Sequence, residues 1–208
     1  MAYIEKIIIY DFDNLLNENA TNDKLLEYIY SIECLLHISQ PTLKYFLGKV
    51  TDPDISLIFP KVCGGNCTEN LQFLVVEYGA NIYDIGTMLY AIRYDRLENI
   101  KFLVENGFKV YDHNDEIMLM SVLHEEIFSY FLDLGLVITD NIIDYHINNI
   151  KVLQMFLDKG VDPERIAQSC WRNLIKDTNP RTYVLKKMVM LDKYGVNINK
   201  SINQYLQE

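Results

Sequence analysis

One short amphipathic helix with a built-in stop recurs along this chain, and that recurrence limits what it can fold into. Its clearest copy is Leu97-Glu-Asn-Ile-Lys-Phe-Leu-Val-Glu-Asn-Gly107. Ile100, Leu103 and Val104 fall three and four apart on one helical face, Lys101 and Glu105 fall on the other, and Gly107 stands where a helix end needs positive φ. A helix of about ten residues is marginal alone, so its apolar stripe must be covered by neighbouring copies. Matching the stop position gives Val50, Gly79, Gly107, Gly135, Gly160 and Gly195, separated by 29, 28, 28, 25 and 35 residues. The segment from Leu43 to Pro53 lines up with Leu153 to Pro163, with six of eleven positions identical. Each stop follows a Leu/Phe/Val-rich helix, and the intervals leave room for a turn and one more helix. The outer helices are predicted over Leu71–Val76, Ile100–Val104, Ile127–Leu132, Val152–Leu157 and Val184–Leu191. The inner ones are predicted over Ile55–Val62, Met88–Ile92, Ile117–Leu123, Ile142–Ile147 and Ile166–Ile175, the last carrying Cys170 and Leu174 inward.

Ahead of the repeats, Ile4, Ile7, Ile8, Phe12, Leu15 and Leu16 keep to one helical face and predict a helix over 3–17. A loop over 17–22 ends in capping residues, and a second helix follows over 23–38 with Leu25, Leu26, Ile29, Ile32 and Leu36 inward. Pro41 starts a third, carrying Leu43, Phe46 and Leu47.

A turn and two antiparallel helices in ~30 residues resemble the ankyrin repeat, whose usual period is ~33. Leu97 to Gly107 is similar to that family's outer helix with its closing glycine, and Gly79-Ala-Asn-Ile82 to the start of its next turn. The tetratricopeptide repeat has a Trp/Leu-Gly/Tyr signature absent here, and HEAT units are longer. In the phrasing Tyr-Gly-Ala-Asn-Ile and Lys-Phe-Leu-Val-Glu-Asn-Gly, on an Ile/Asn/Tyr-rich background, the chain resembles divergent ankyrin-type proteins of amoeba-infecting giant DNA viruses. The resemblance covers roughly residues 42 to 200. It implies an all-α, ankyrin-like solenoid with degenerate repeats: an N-terminal helical cap over 1–41 and repeats over 42–208, in a single elongated body. The family's Thr-Pro-Leu-His entry to the inner helix is missing. The best match reads Gly86-Thr87-Met88-Leu89, so the hydrogen bonds that usually tie one repeat to the next are expected to be absent and the turns short and irregular.

Charge narrows the choice of partner. The 208 residues carry 19 Lys and Arg against 29 Asp and Glu, a formal net charge of −10. Nucleic-acid binding rests on clustered cations, so nucleic acid is not expected, whereas a protein with a basic patch is. No apolar run reaches the ~20 residues of a membrane span and no N-terminal secretory pattern is present, so a monomer in a reducing cytoplasm is expected. Cys34, Cys63, Cys67 and Cys170 are too few and scattered to staple the chain and are predicted to be free thiols.

No residue is nominated as catalytic, and no cofactor or metal is expected. The sharpest catalytic lookalike is Lys6 to Leu16, where Asp11-Phe-Asp13 resembles the first motif of haloacid-dehalogenase-type phosphatases. That resemblance would make Asp11 the nucleophile and Asp13 an acid/base beside Mg²⁺. On a helix, however, residues two apart diverge by about 200° and cannot share a metal. Cys63-Gly-Gly-Asn-Cys67 reads as a turn between an inner and an outer helix. His37, His113, His124 and His146 show no paired spacing, and Trp171 reads as a groove filler in the longest repeat.

The expected function is therefore non-covalent protein recognition. The giant-virus resemblance implies a product made in an infected host cell that binds a host or viral protein. A ubiquitin-ligase substrate adaptor is the variant reading, though no F-box pattern stands in 1–40. The turn residues Tyr83, Asp84, Tyr111, Asp112, Thr139 and Asp140 follow successive stops and are the predicted binding row. The inner-helix residues Tyr90, Arg93 and Tyr94 stand next in line.

Overall fold

A computed structural model describes residues 2–31, 35, 37–174 and 181–205. Among them are fourteen α-helices and no strand. The expectations for Ile32, Cys34, Leu36 and Ile175 fall outside the described residues, as do those for the side chains of Leu174 and Val184. The chain gathers into two compact units, 1–133 and 134–208.

The first unit holds α1 (Ala2–Asn17), α2 (Asn22–Ser31), α3 (Gln40–Leu47), α4 (Ile55–Cys63), α5 (Thr68–Tyr78), α6 (Ile85–Arg93), α7 (Leu97–Glu105), α8 (Asn114–Ser121) and α9 (Glu125–Asp133). Two parallel series of contacts run through it. In one, α2 packs on α4, α4 on α6 and α6 on α8; in the other, α3 packs on α5 and α5 on α7. Contacts of α4 with α5, α6 with α7 and α8 with α9 close each antiparallel pair. α1 packs on α2, and its Phe12 ring lies 4.5 Å from that of Phe46 on α3. The second unit holds α10 (Asp140–Tyr145), α11 (Ile150–Asp158), α12 (Pro163–Leu174), α13 (Arg181–Lys193) and α14 (Ile198–Tyr205). There α10 packs on α12, α12 on α14, and α13 on both α12 and α14. α14 is not among the helices that the sequence predicts.

The stops behave as local chemistry requires. Gly107 has φ +102°, and the glycines at 79, 135, 160 and 195 share the left-handed region, where a Cβ would clash with the backbone. The residue after the stop donates back to the end of its own helix: Ala80 to the Leu74 carbonyl, Phe108 to Leu103, Val161 to Phe156 and Val196 to Leu191, at 3.0–3.2 Å. That residue is buried each time, which pins the outgoing chain to the core. Val50 is the exception. α3 ends at Leu47 with Gly48 still right-handed, and the left-handed residue is Asp52, at φ +49°. A β-branched valine resists that conformation, whereas an aspartate tolerates it.

Two inner helices, α4 and α6, open on side-chain caps. Asp54 accepts from the Ser56 amide at 3.0 Å, and Asp84 accepts from the Gly86 amide at 3.2 Å. The turns that precede them form no hairpins among the described residues; the only regular piece there is a 3₁₀ turn over Val110–His113.

Successive helices are also tied by side-chain hydrogen bonds built on the third residue of α3, α5 and α7. Asn70 of α5 is buried and donates to the Ile38 carbonyl at 3.0 Å. Asn99 of α7 is 2 % exposed and donates to the carbonyls of Cys63 and Gly65, both at 2.8 Å, while its own carbonyl oxygen accepts from the Thr68 hydroxyl. The Gly64 carbonyl between them takes Arg96 Nε at 2.8 Å. The negative end of α4 is thus capped by the helix pair that follows. Gln40 at the start of α3 reaches the Glu69 carbonyl in the same way, and Thr42, the third residue of α3, donates to Glu5 of α1.

Glu5 begins this ladder. Burial pushes its carboxyl up, but hydrogen bonds from the Ser39 hydroxyl, the Thr42 hydroxyl and the Ser39 amide together outweigh burial and hold it below the usual carboxylate range. A carboxyl lowered by folding contributes stability above its unfolded pKa and loses it as pH falls through the folded value. Glu5→Gln should therefore lower the urea midpoint at neutral pH, and its difference from the wild type should shrink as the pH falls below the ordinary glutamate value. Equal midpoints at neutral pH would show that the α1–α3 tie adds nothing.

Candidate functional site

Charge is not spread evenly. Residues 1–133 carry 21 acidic and 9 basic side chains, a net −12, whereas residues 134–208 carry 8 and 10, a net +2. The acidic field that would attract a basic partner belongs to the first unit.

Within that unit the turn after Gly79 presents Tyr83, 61 % exposed, with its amide held by Asn81. Its ring does not fold back over its own turn. It lies across the next one, where a Cβ on Gly107 would sit 3.9 Å from both Cε1 and the hydroxyl. Tyr83, Phe108, Lys109, Asp112 and His113 line a depression of about 450 Å³ around that glycine. Two successive turns are thereby joined into one surface. Tyr111 is 65 % exposed in the 3₁₀ turn beside Asp112. The two Tyr-Asp pairs are not equivalent, however: Asp84 caps α6, while the residue before α8 is His113.

Tyr90, Arg93 and Tyr94 form a second aromatic group at the end of α6. The tyrosine rings stack at 5.9 Å, and the Arg93 guanidinium lies 5.9 Å from the Tyr94 centroid. Leu123, absent from the predicted set, stands exposed at the end of the next inner helix.

The remaining residues of the predicted row, Thr139 and Asp140, belong to the second unit. Thr139 precedes α10 and Asp140 opens it, with its carboxylate 2.7 Å from Arg165, which also donates to the Ile138 carbonyl. Asp140 is thus already engaged in an ion pair, unlike Asp84. In the same unit Asp144 gathers Ser169, Asn173 and, at 3.6 Å, Arg172.

No family model, curated protein or solved structure matches this chain.

The catalytic lookalikes have other surroundings. Asp11 and Asp13 lie on helix α1 rather than at the end of a strand. Asp11 is exposed, while Asp13 accepts the Tyr45 hydroxyl at 2.6 Å; that bond, and burial after it, lift the Tyr45 phenol above its usual value. Cys63 ends α4 and Cys67 precedes α5, so Gly64 and Gly65 form the turn between an inner and an outer helix. Burial pushes the Cys63 thiol well up, and burial with a hydrogen bond to Glu69 raises Cys67, so neither is poised as a nucleophile. The Cys170 thiol is pushed by burial up to about 11. Trp171 is buried in its unit's core. His124 sits 3.3 Å from Asp95 and His37 3.5 Å from Asn66, and among the described residues no three His, Cys, Asp or Glu side chains converge as a metal site would need.

Proposed function

We propose that this chain is an ankyrin-like repeat protein whose work is non-covalent recognition of another protein, one that presents a basic and apolar surface. The observation that carries this reading is Tyr83, largely exposed yet laid across Gly107 of the following turn, because it makes neighbouring turns one surface in the acidic unit. Tyrosines supply contact area at small entropic cost, and surrounding carboxylates steer a cationic partner. The partner-facing residues are Tyr83, Tyr111 and Asp112, with Tyr90, Arg93 and Tyr94 as a second group. Asp84, a helix cap, adds charge. The resemblance to giant-virus proteins supports action in the cytoplasm of an infected cell, on a host or viral protein. No catalytic role is proposed for any residue.

Replacing Tyr83 and Tyr111 together by Ala should weaken the complex about 10- to 30-fold, roughly 1.4–2 kcal/mol, and leave the denaturation midpoint in place because both rings are mostly in solvent. Affinity capture from lysate with the wild type and the double variant side by side makes the comparison. A partner held equally by both would move the surface to Tyr90, Arg93 and Tyr94; a chain that captures nothing reproducibly would end the recognition reading.

A further inference from the structure

One pair of turns earlier than the Tyr83 depression, a second notch of about 400 Å³ opens between α4 and α6. Its walls are the capping residues Asp54 and Asp84, and Phe59, Pro60 and Ala80 supply apolar lining. Among the described residues no cationic side chain lines it. Asp54 gives one carboxylate oxygen to the amide and hydroxyl of Ser56, and Asp84 gives one to the Gly86 amide. The second oxygen of each has no hydrogen bond or ion pair among the described residues. Thr87, 1 % exposed, also lines the notch, and its hydroxyl makes no hydrogen bond among the described residues.

We infer that this notch is a binding site for a lysine side chain of the protein partner, an inference that rests on the recognition reading above. Lysine combines the two features the notch lacks: an apolar four-carbon stem to lie along Phe59, Pro60 and Ala80, and an ammonium with three donors. Asp54, Asp84 and Thr87 offer three acceptors of the right kind. The N-terminal ends of α4 and α6 each add about half a positive charge, which offsets only part of the two carboxylates, so the notch stays attractive to a cation. An anion, the usual guest of helix N-termini, is excluded by those same carboxylates.

The probe is Nα-acetyl-lysine methylamide titrated into the full ¹⁵N-labelled chain. Saturable amide shifts at Gly79, Asn81 and Gly86, with half-saturation in the millimolar range, are expected, and none with the uncharged norleucine analogue. Asp54→Asn with Asp84→Asn keeps both caps, because asparagine caps as well as aspartate, and should weaken binding at least tenfold. Thr87→Val should weaken it a few-fold. Absence of saturable shifts, unchanged binding in the double variant, or the same shifts from calcium alone would overturn the assignment. The probe needs no macromolecular partner, so its failure leaves the recognition reading to be judged by the Tyr83 and Tyr111 comparison.

Discussion

Leu103→Ala and Leu157→Ala should each cost about 2–5 kcal/mol, because both leucines are buried on an outer helix, one in each unit. Leu103 stands four residues before its left-handed glycine stop and Leu157 three, so the counterpart of Leu103 in α11 is Phe156, whose carbonyl takes the same fold-back bond. Truncation removes packing that no neighbour can refill, since the next side chains are locked by the turn. Chemical denaturation of each variant measures the loss. A silent substitution at either position would mean that the buried face of that helix does not carry the packing assigned to it.

Asn99→Ala should be about as damaging, at about 2–5 kcal/mol, although it removes a polar group from a helix. The buried carbonyls of Cys63 and Gly65 would lose their donor, at about 1–3 kcal/mol each, and the part-buried Thr68 hydroxyl would lose its acceptor. Asn70→Ala should cost less, about 1–2 kcal/mol: it strands only the Ile38 carbonyl, and the Asn70 side-chain oxygen already has no hydrogen-bond partner in the structure. Urea unfolding of the two variants in parallel gives the ratio, and an equal cost would refute the hydrogen-bond account.

These two asparagines also mark where sequence reading ends. The glycine stops were legible because positive φ is a one-residue requirement that glycine meets alone. The apolar stripe of α7 was legible because its spacing is local. Asn99 carries no such mark. Next to Glu98 and Lys101 it reads as one more solvated residue, and its acceptors lie 34 and 36 residues back, visible only once α4 and α7 have been brought together. Val50 misled for a related reason, because the alignment of residues 43–53 with 153–163 fixed a position without asking whether a β-branched residue could adopt the conformation there. At the candidate surface, Tyr83 and Tyr111 were readable as exposed turn residues. The use of Asp84 as a cap, and the pairing of Asp140 with Arg165, depended on partners two and 25 residues away.

The ladder from Glu5 through Thr42 and Asn70 to Asn99 has a consequence for how such a chain can change in length. Apolar stripes tolerate sliding, but an amide that must meet particular carbonyls does not. Asn70 and Asn99 lie 29 residues apart in equivalent seats. Excising 29 residues from this stretch would seat Asn99 where Asn70 was, whereas a cut that shifts Asn99 away from that seat would leave a buried carbonyl without its donor. Changes of length here are constrained by where the amides fall, with hydrogen bonds rather than hydrophobic contact setting the step.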